Sequence, residues 1–149
     1  MAHAEMVLST ALSPDQVRAA LLDFSENRPK VWPGMDPTLY EVFTVDETSA
    51  EIREGTKLPW TRVWARERYD WSDPNRIRWT VMESNFSVVG SYVEAALTPR
   101  ADGGTDVHVT WERSGTTLVG KFAVKMIELT KGKPVADSMK RGFTKLEKQ

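Results

Sequence analysis

Hydrophobic residues recur at every second position through the middle of the chain and at helical spacing near both ends. From Leu39 to Ser114 the alternation has the period of β-strands, whose successive side chains point to opposite faces of a sheet. It predicts six strands, near residues 39–46, 49–56, 61–71, 76–84, 91–98 and 105–114. The connections are short and carry turn residues, such as the Gly103-Gly104 pair, which favours an antiparallel meander.

The segment before the meander predicts one strand and two short helices. Residues 4–10 have the pattern of a strand. Ser13 then supplies an N-cap, Pro14 a first helical position and Asp15 an acidic first turn. The segment 26–37 holds three prolines and a glycine, so only a short helical turn is expected there.

The C-terminal segment, from Thr117 onwards, predicts a long helix that Gly132 and Pro134 kink or briefly break. Its apolar stripe consists of Leu118, Phe122, Met126, Leu129, Met139, Phe143 and Leu146. An antiparallel sheet with one solvated face must cover the other, and only this helix is long enough to do so. The pattern therefore predicts a curved sheet that grips one helix, with space between them.

Several stretches resemble the START-like, polyketide cyclase/dehydrase (SRPBCC) superfamily. They are "LLDFSENRPKVWPGMDPTLYEV", "AEIREGT", "WARERYDWSDPNRIRWTV", "GSYVEAALTPRADGGTDVHVTWERSG" and the final helix. The resemblance implies an α+β helix-grip fold: a curved antiparallel sheet of about seven strands around a long C-terminal helix, with two short helices after the first strand. It also implies that residues 1–149 form a single ligand-binding domain with a hydrophobic cavity, without implying an enzyme.

Composition limits the classes of function. The 149 residues carry a formal net charge of −1, which speaks against a dominant nucleic-acid role. There is no cysteine, so disulfides and thiolate chemistry are absent. The N-terminus lacks the pattern of a signal peptide, and no apolar stretch approaches the ~18 residues of a membrane span. We therefore expect a cytoplasmic protein without an integral membrane segment.

The hairpin at residues 61–84 interleaves arginines with aromatic rings, as single-stranded nucleic-acid sites do. Alternation along the strands, however, places most arginines on one face and most rings on the other. A nucleic-acid site needs both on the same surface, so no nucleic-acid partner is expected. On the arginine face, Trp64 is predicted to stack between Arg62 and Arg66.

Glu67 is the one acidic residue that this alternation places among the apolar residues of the hairpin. A buried carboxylate is costly unless it is paired. One interpretation is structural, an ion pair with an arginine of a neighbouring strand or with Arg113. The other is functional: Glu67 faces the cavity, where desolvation raises its pKa and suits it to proton transfer. Glu67, Tyr69 and Arg113 are the candidate catalytic residues.

The predicted ligand site combines the inward face of the sheet, the C-terminal helix and the loops at one end of the meander. Its candidate residues are Glu67, Tyr69, Trp79, Val93, Trp111, Phe122, Met126, Trp32, Trp60 and Phe86. The apolar residues of segments 32–38, 57–60 and 84–90 are expected at its entrance. The two histidines, His3 and His108, show no metal-ligand spacing, so neither metal nor cofactor is expected.

Three classes of function remain open on the sequence. The first is binding, and in one form transport, of a small hydrophobic molecule such as a lipid, a polyketide or another fused-ring compound. The second is a polyketide cyclase or dehydratase that uses Glu67 as acid or base, with Tyr69 or Arg113 assisting. The third is a protein-interaction module without a ligand. The apolar entrance favours the first two classes.

Overall fold

Seven β-strands form one antiparallel sheet. They are β1 (Ala2–Thr10), β2 (Glu41–Val45), β3 (Ser49–Lys57), β4 (Arg62–Asp70), β5 (Arg76–Ser84), β6 (Tyr92–Pro99) and β7 (Thr105–Arg113). Their order across the sheet is β1-β7-β6-β5-β4-β3-β2, so the predicted meander is confirmed and the first strand joins the last. The structure, a computed structural model, describes residues 2–115, 118–131 and 133–148.

Two short helices follow β1, as predicted: α1 (Pro14–Leu21) and α2 (Arg28–Val31). α1 begins with a capping box, in which the Ser13 hydroxyl accepts from the Gln16 N–H and the Gln16 side chain accepts from the Ser13 N–H. Val17 and Leu21 are buried on its inner face. Both belong to the main hydrophobic core, so α1 packs against the sheet through this face.

The concave face of the sheet carries the core. Ala65, Glu67 and Tyr69 of β4 are buried, whereas Arg62 and Arg68 are exposed. The arginine face and the ring face therefore separate as the alternation predicted.

The predicted stacking of Trp64 is wrong. The guanidinium of Arg66 instead lies 4.0 Å from the ring centroid of Phe43 on the edge strand β2. Among the described residues, no cation–π contact involves Trp64. Arg66 contacts a ring two strands away, because alternation determines the face of the sheet on which a side chain lies but not which neighbour on that face it reaches.

Two helices occupy the C-terminal segment: α3 (Leu118–Leu129) and α4 (Lys133–Glu147). They are separated near Lys131, whose φ of 55° is left-handed and ends a helix. Pro134 is the second residue of α4. Thr117 and Gly132, at the predicted start and break, lie outside the described residues. No helix among the described residues is long and apolar enough to cross a bilayer.

Of the two C-terminal helices, α4 is the one whose described side chains pack into the core. Met139 and Phe143 are buried in the core, and Leu146 packs against it. At the far end of α4, the Glu147 carboxylate accepts hydrogen bonds from the Thr10 hydroxyl at 2.6 Å and the Ala11 N–H at 2.9 Å. These contacts hold α4 along β1 and place its apolar stripe over the concave face.

The prediction that α3 continues the same stripe over the sheet is wrong. Phe122, Met126 and Leu129 are 66%, 44% and 65% exposed. The break before α4 lets α3 take another direction, and it lies beside the first residues of β1. There the Glu128 carboxylate accepts from the His3 backbone N–H at 3.3 Å. The side chain of Leu118 lies outside what the structure describes.

Trp32 joins the α2–β2 connection to α4. Its ring packs edge-on against Phe143, with the centroids 5.5 Å apart. It also lies directly on Gly142, where a Cβ atom would overlap the indole ring. Ser138 of α4 donates to the Pro33 carbonyl at 3.0 Å, and Lys145 donates to the Lys30 carbonyl. Because Gly142 has no side chain, the α2–β2 connection can pack directly on α4.

Replacing Gly142 with alanine tests this close approach. Glycine to alanine inside a helix ordinarily stabilises a protein by about 0.5–1 kcal/mol. Here the added methyl group meets the Trp32 ring, so we expect a lower melting temperature and a changed tryptophan emission spectrum. Lys140→Ala, at an exposed position of the same helix, is the control and should leave both unchanged. A more stable Gly142→Ala protein with an unaltered spectrum would contradict the packing described here.

Candidate functional site

A cavity of about 320 Å³ lies between the concave face of the sheet and α4. Its walls come from the α2–β2 connection, from strands β3 to β7 and from the first half of α4. Five aromatic side chains line it: Trp32, Tyr69, Trp79, Phe86 and Trp111. This volume and this lining are typical of a site for a small organic molecule.

The candidate residues from the sequence divide into two groups. Those that line the cavity are Trp32, Glu67, Tyr69, Trp79, Phe86, Val93, Trp111 and Arg113. Trp60, Phe122 and Met126 do not line it. Trp60 stands at the tip of a tight β3–β4 turn, closed by the Leu58 N–H on the Thr61 carbonyl, and is 69% exposed. Phe122 and Met126 project from α3, which lies outside the grip of the sheet.

Two stacked rings form one wall. Tyr69 and Trp79 are opposed across β4 and β5, with centroids 5.2 Å apart and planes within 9° of parallel. Phe24 also packs edge-on against Tyr69, at 5.3 Å. Tyr69 is thereby fixed within the core, while Trp79 keeps partial exposure and presents a flat apolar surface to the cavity.

A cluster of three polar side chains lines the cavity, with Arg28 and Tyr69 buried and Glu54 partly buried. Arg28 Nε donates to Glu54 Oε1 at 2.6 Å, and Arg28 Nη2 donates to Tyr69 Oη at 2.9 Å. Tyr69 Oη in turn donates to Glu54 Oε2 at 2.7 Å. Arg28 Nη1 donates to the carbonyls of Leu21 and Asp23. Nearly every donor of Arg28 is therefore bonded within the protein.

The electrostatics of this cluster follow from burial and pairing. Burial opposes the charge of Arg28, but the Glu54 carboxylate and Tyr69 outweigh it and raise the pKa of Arg28 above its ordinary value. Burial, together with the neighbouring Glu54, raises the pKa of Tyr69 well above its ordinary value. Tyr69 is therefore a neutral hydrogen-bonding group whose hydroxyl is already committed to Glu54 and Arg28.

Sequence reasoning missed Arg28 and Glu54. A signal for Glu54 existed: Ala50 and Ile52 are buried on β3, and Glu54 continues the same alternation to the cavity. Arg28 had no comparable signal, because it begins the four-residue helix α2, which is too short for a helical period to assign a face. Its burial depends on tertiary contacts to β3 and β4.

A second ion pair lies further along the same wall. Arg113 Nη2 donates to Glu67 Oε2 at 3.0 Å, and both side chains are buried. Arg113 Nη1 approaches the Ser87 hydroxyl at 3.4 Å, a long hydrogen bond. Among the residues that the structure describes, none donates to Glu67 Oε1 and none accepts from Arg113 Nε. Unlike Arg28, Arg113 keeps unused donors beside the cavity.

The carboxyl group of Glu67 has an unusual proton affinity. Desolvation by burial raises the pKa of Glu67 to about 7, against the opposing attraction of Arg113. The neighbouring Glu54 carboxylate contributes in the same direction as burial. At neutral pH, Glu67 is therefore able both to accept and to donate a proton.

Metal binding finds no support in the described ranges. Residues 2–115, 118–131 and 133–148 contain no group of three or more histidine or carboxylate side chains placed to hold a metal ion. His108 lies exposed on the convex face of β7, away from the cavity.

Three solved structures illustrate the similarity in fold. The Zhui aromatase/cyclase from Streptomyces sp. R1128 has 13% identity and a TM-score of 0.77, covering 97% of this chain and 93% of the other. A START superfamily protein from Mycobacterium smegmatis has 12% identity and a TM-score of 0.78, with 98% and 99% covered. A protein from Thermus thermophilus has 18% identity and a TM-score of 0.76, with 95% and 94% covered.

Comparison with curated protein sequences found no match to the chain. The family model described as polyketide cyclase / dehydrase and lipid transport matches residues 1–149. This match is consistent with the helix-grip fold and with the cavity under α4. The chain therefore belongs to the polyketide cyclase/dehydrase and lipid transport family.

Proposed function

We propose that the protein binds a small, mainly apolar molecule in the cavity between the sheet and α4. One observation carries the proposal: an aromatic-lined space of about 320 Å³ contains an ion pair, Arg113 with Glu67, whose bonding capacity is only partly used. Aromatic walls favour a flat hydrophobic body, and a few placed polar groups orient it. The family supports ligand binding of this kind.

The ligand that fits this site has a planar apolar part and one polar group. The planar part lies against Trp79, whose ring is already stacked with Tyr69. The polar group reaches Arg113 and Glu67, where it accepts from an unused arginine N–H or donates to Glu67 Oε1. Polyketides and other fused-ring compounds with hydroxyl or carbonyl groups have this chemistry, and so does a lipid with a small polar head.

Replacing Trp79 with leucine tests the binding site. Leucine keeps the position apolar but removes the flat surface, so the affinity for an anilinonaphthalene dye should fall by about tenfold. Trp60→Leu is the matched control, since Trp60 is exposed and does not line the cavity. Fluorescence titrations of both folded variants give the comparison. Equal affinities, or a larger loss in the Trp60 variant, would place the dye elsewhere.

The two arginines should respond differently to replacement by lysine. Arg28→Lys removes several buried hydrogen bonds at once and should cost about 3 kcal/mol of unfolding free energy. Arg113→Lys keeps a charge beside Glu67 and should cost about 1 kcal/mol, while it weakens binding of ligands with a polar group. Urea unfolding and ligand titration of both variants measure this. Equal losses of stability would mean that Arg113 is a structural residue like Arg28.

A second function, catalysis of the cyclase or dehydratase kind, is favoured by the state of Glu67. Its carboxyl group lines the cavity, exchanges a proton near neutral pH and lies 3.0 Å from a guanidinium that could hold a developing oxyanion. Arg113 is better placed to assist than Tyr69, because the Tyr69 hydroxyl is committed to Glu54 and Arg28. Acid or base catalysis by Glu67 depends on this raised pKa, which can be measured without a substrate.

The pH dependence of stability measures that pKa. The folded-state pKa of Glu67, about 7, exceeds the unfolded value of 4.5. The native state therefore holds this proton more tightly than the unfolded state does. The stability that the proton contributes is fully present below pH 4.5 and is lost as the pH rises through about 7. Relative to Glu67→Gln, which cannot ionise, the native protein should lose about 1–3 kcal/mol between about pH 5 and pH 8. The opposite slope would show that Arg113 lowers the pKa of Glu67 and would remove the acid/base candidate.

A further inference from the structure

Large apolar side chains are exposed at the end of the sheet where the cavity lies. They come from the β3–β4 turn, the β5–β6 connection and α3. We call them the rim surface: Trp60, Val88, Val89, Phe122, Met126 and Leu129. Trp60, Val89, Phe122 and Leu129 are each about two-thirds exposed. Scattered exposed apolar residues are ordinary, but a cluster on neighbouring segments marks an interaction site.

Hydrogen bonds show that these segments are neighbours. The Asn85 side chain donates to the Arg62 carbonyl and accepts from the Trp64 N–H, which ties the β5–β6 connection to the strand that follows Trp60. The Val88 N–H donates to the Ser114 carbonyl at 2.7 Å, at the end of the strand that precedes α3. α3 ends next to His3, at the same end of the sheet. The three segments that carry the rim surface therefore lie at the same end of the sheet, beside the cavity.

Positive charge accompanies the apolar side chains. Lys121 and Lys125 are exposed and share one face of α3, next to the exposed face that carries Phe122 and Met126. Lys57 and Arg62 are exposed at the two ends of the turn that carries Trp60. The nearby acidic groups are Asp36, near Lys57 and Arg62, Glu128, paired with Lys125, and Glu5 and Glu112 beside His3. Among the described residues, Lys57, Arg62 and Lys121 form no salt bridge, so their charges are available to an anionic partner.

We propose that the rim surface docks on an anionic lipid bilayer. Exposed aromatic and aliphatic side chains with adjacent lysines are the composition of helices that lie in a membrane interface. The apolar groups enter the boundary between headgroups and acyl chains, while the lysine stems extend so that the ammonium groups reach lipid phosphates. Tryptophan at the tip of a turn suits the same layer, because its ring is amphipathic.

Charge argues for a bilayer over a second copy of the chain. A two-fold symmetric dimer through the rim surface would bring Lys57, Arg62 and Lys121 of both copies into one interface. Like charges across an interface are repulsive, and α3 offers only Glu128 to offset them. An anionic bilayer complements every one of these cations. Docking on a bilayer does not depend on the cavity being a ligand site.

Vesicle co-sedimentation of the full chain tests the proposal. We expect binding to phosphatidylcholine vesicles that contain phosphatidylglycerol, weaker binding to phosphatidylcholine alone, and loss of the difference at high salt. The double variant Phe122→Ser and Met126→Ser should lower the partition coefficient by about tenfold or more. Lys121→Gln should weaken binding to the anionic vesicles alone.

Two control variants test whether the loss of binding is specific to the rim surface. Val7→Ser removes an equally exposed apolar residue from the middle of β1 and should leave binding unchanged. Lys140→Gln removes a lysine from the outer face of α4 and should have little effect. The proposal fails if the native protein binds neither vesicle, or if the α3 variants sediment like the native protein. It also fails if ultracentrifugation shows a dimer that the α3 variants dissociate and that does not bind vesicles.

Discussion

The buried contact of Arg28 with Glu54 and Tyr69 is the constraint on which the site depends. It joins the irregular segment after α1 to two strands of the sheet through one almost fully bonded guanidinium. A charge can remain this deeply buried only when its partners are present together. The segment that carries Arg28 also carries Trp32, so this contact helps to position the part of the cavity wall that Trp32 forms.

The two arginine–glutamate pairs lie on the same concave face but differ in what they leave unbonded. Arg28 bonds two backbone carbonyls as well as its two side-chain partners, and it holds elements together. Arg113 and Glu67 retain a free donor and a free oxygen among the described residues. Under the proposed function, a ligand would bond to these open positions of Arg113 and Glu67, which line the cavity. Under the proposed function, this difference in bonding, more than charge, separates the structural pair of Arg28 from the pair of Arg113 that meets the ligand.

Alternation along the strands was enough to predict most of the sheet and the inward position of Glu67, Tyr69 and Arg113. A period of two specifies the face of a residue, and an inward carboxylate limits its partners to the few inward cations. The helical period in α3 specified an apolar face but not what that face meets, so Phe122 and Met126 were assigned to the wrong surface. Arg28 lies where there is no period, and its role follows only from tertiary contacts.

The packing of Trp32 on Gly142 determines how readily one part of the cavity wall can move relative to another. The α2–β2 connection and α4 form facing parts of the cavity wall, and Trp32, Pro33 and Lys30 attach one to the other. Separating them requires an indole ring to leave its place beside Phe143. Any separation of these two parts of the wall is therefore a local opening, in the microsecond to second range, and slower than the rotamer changes of exposed side chains.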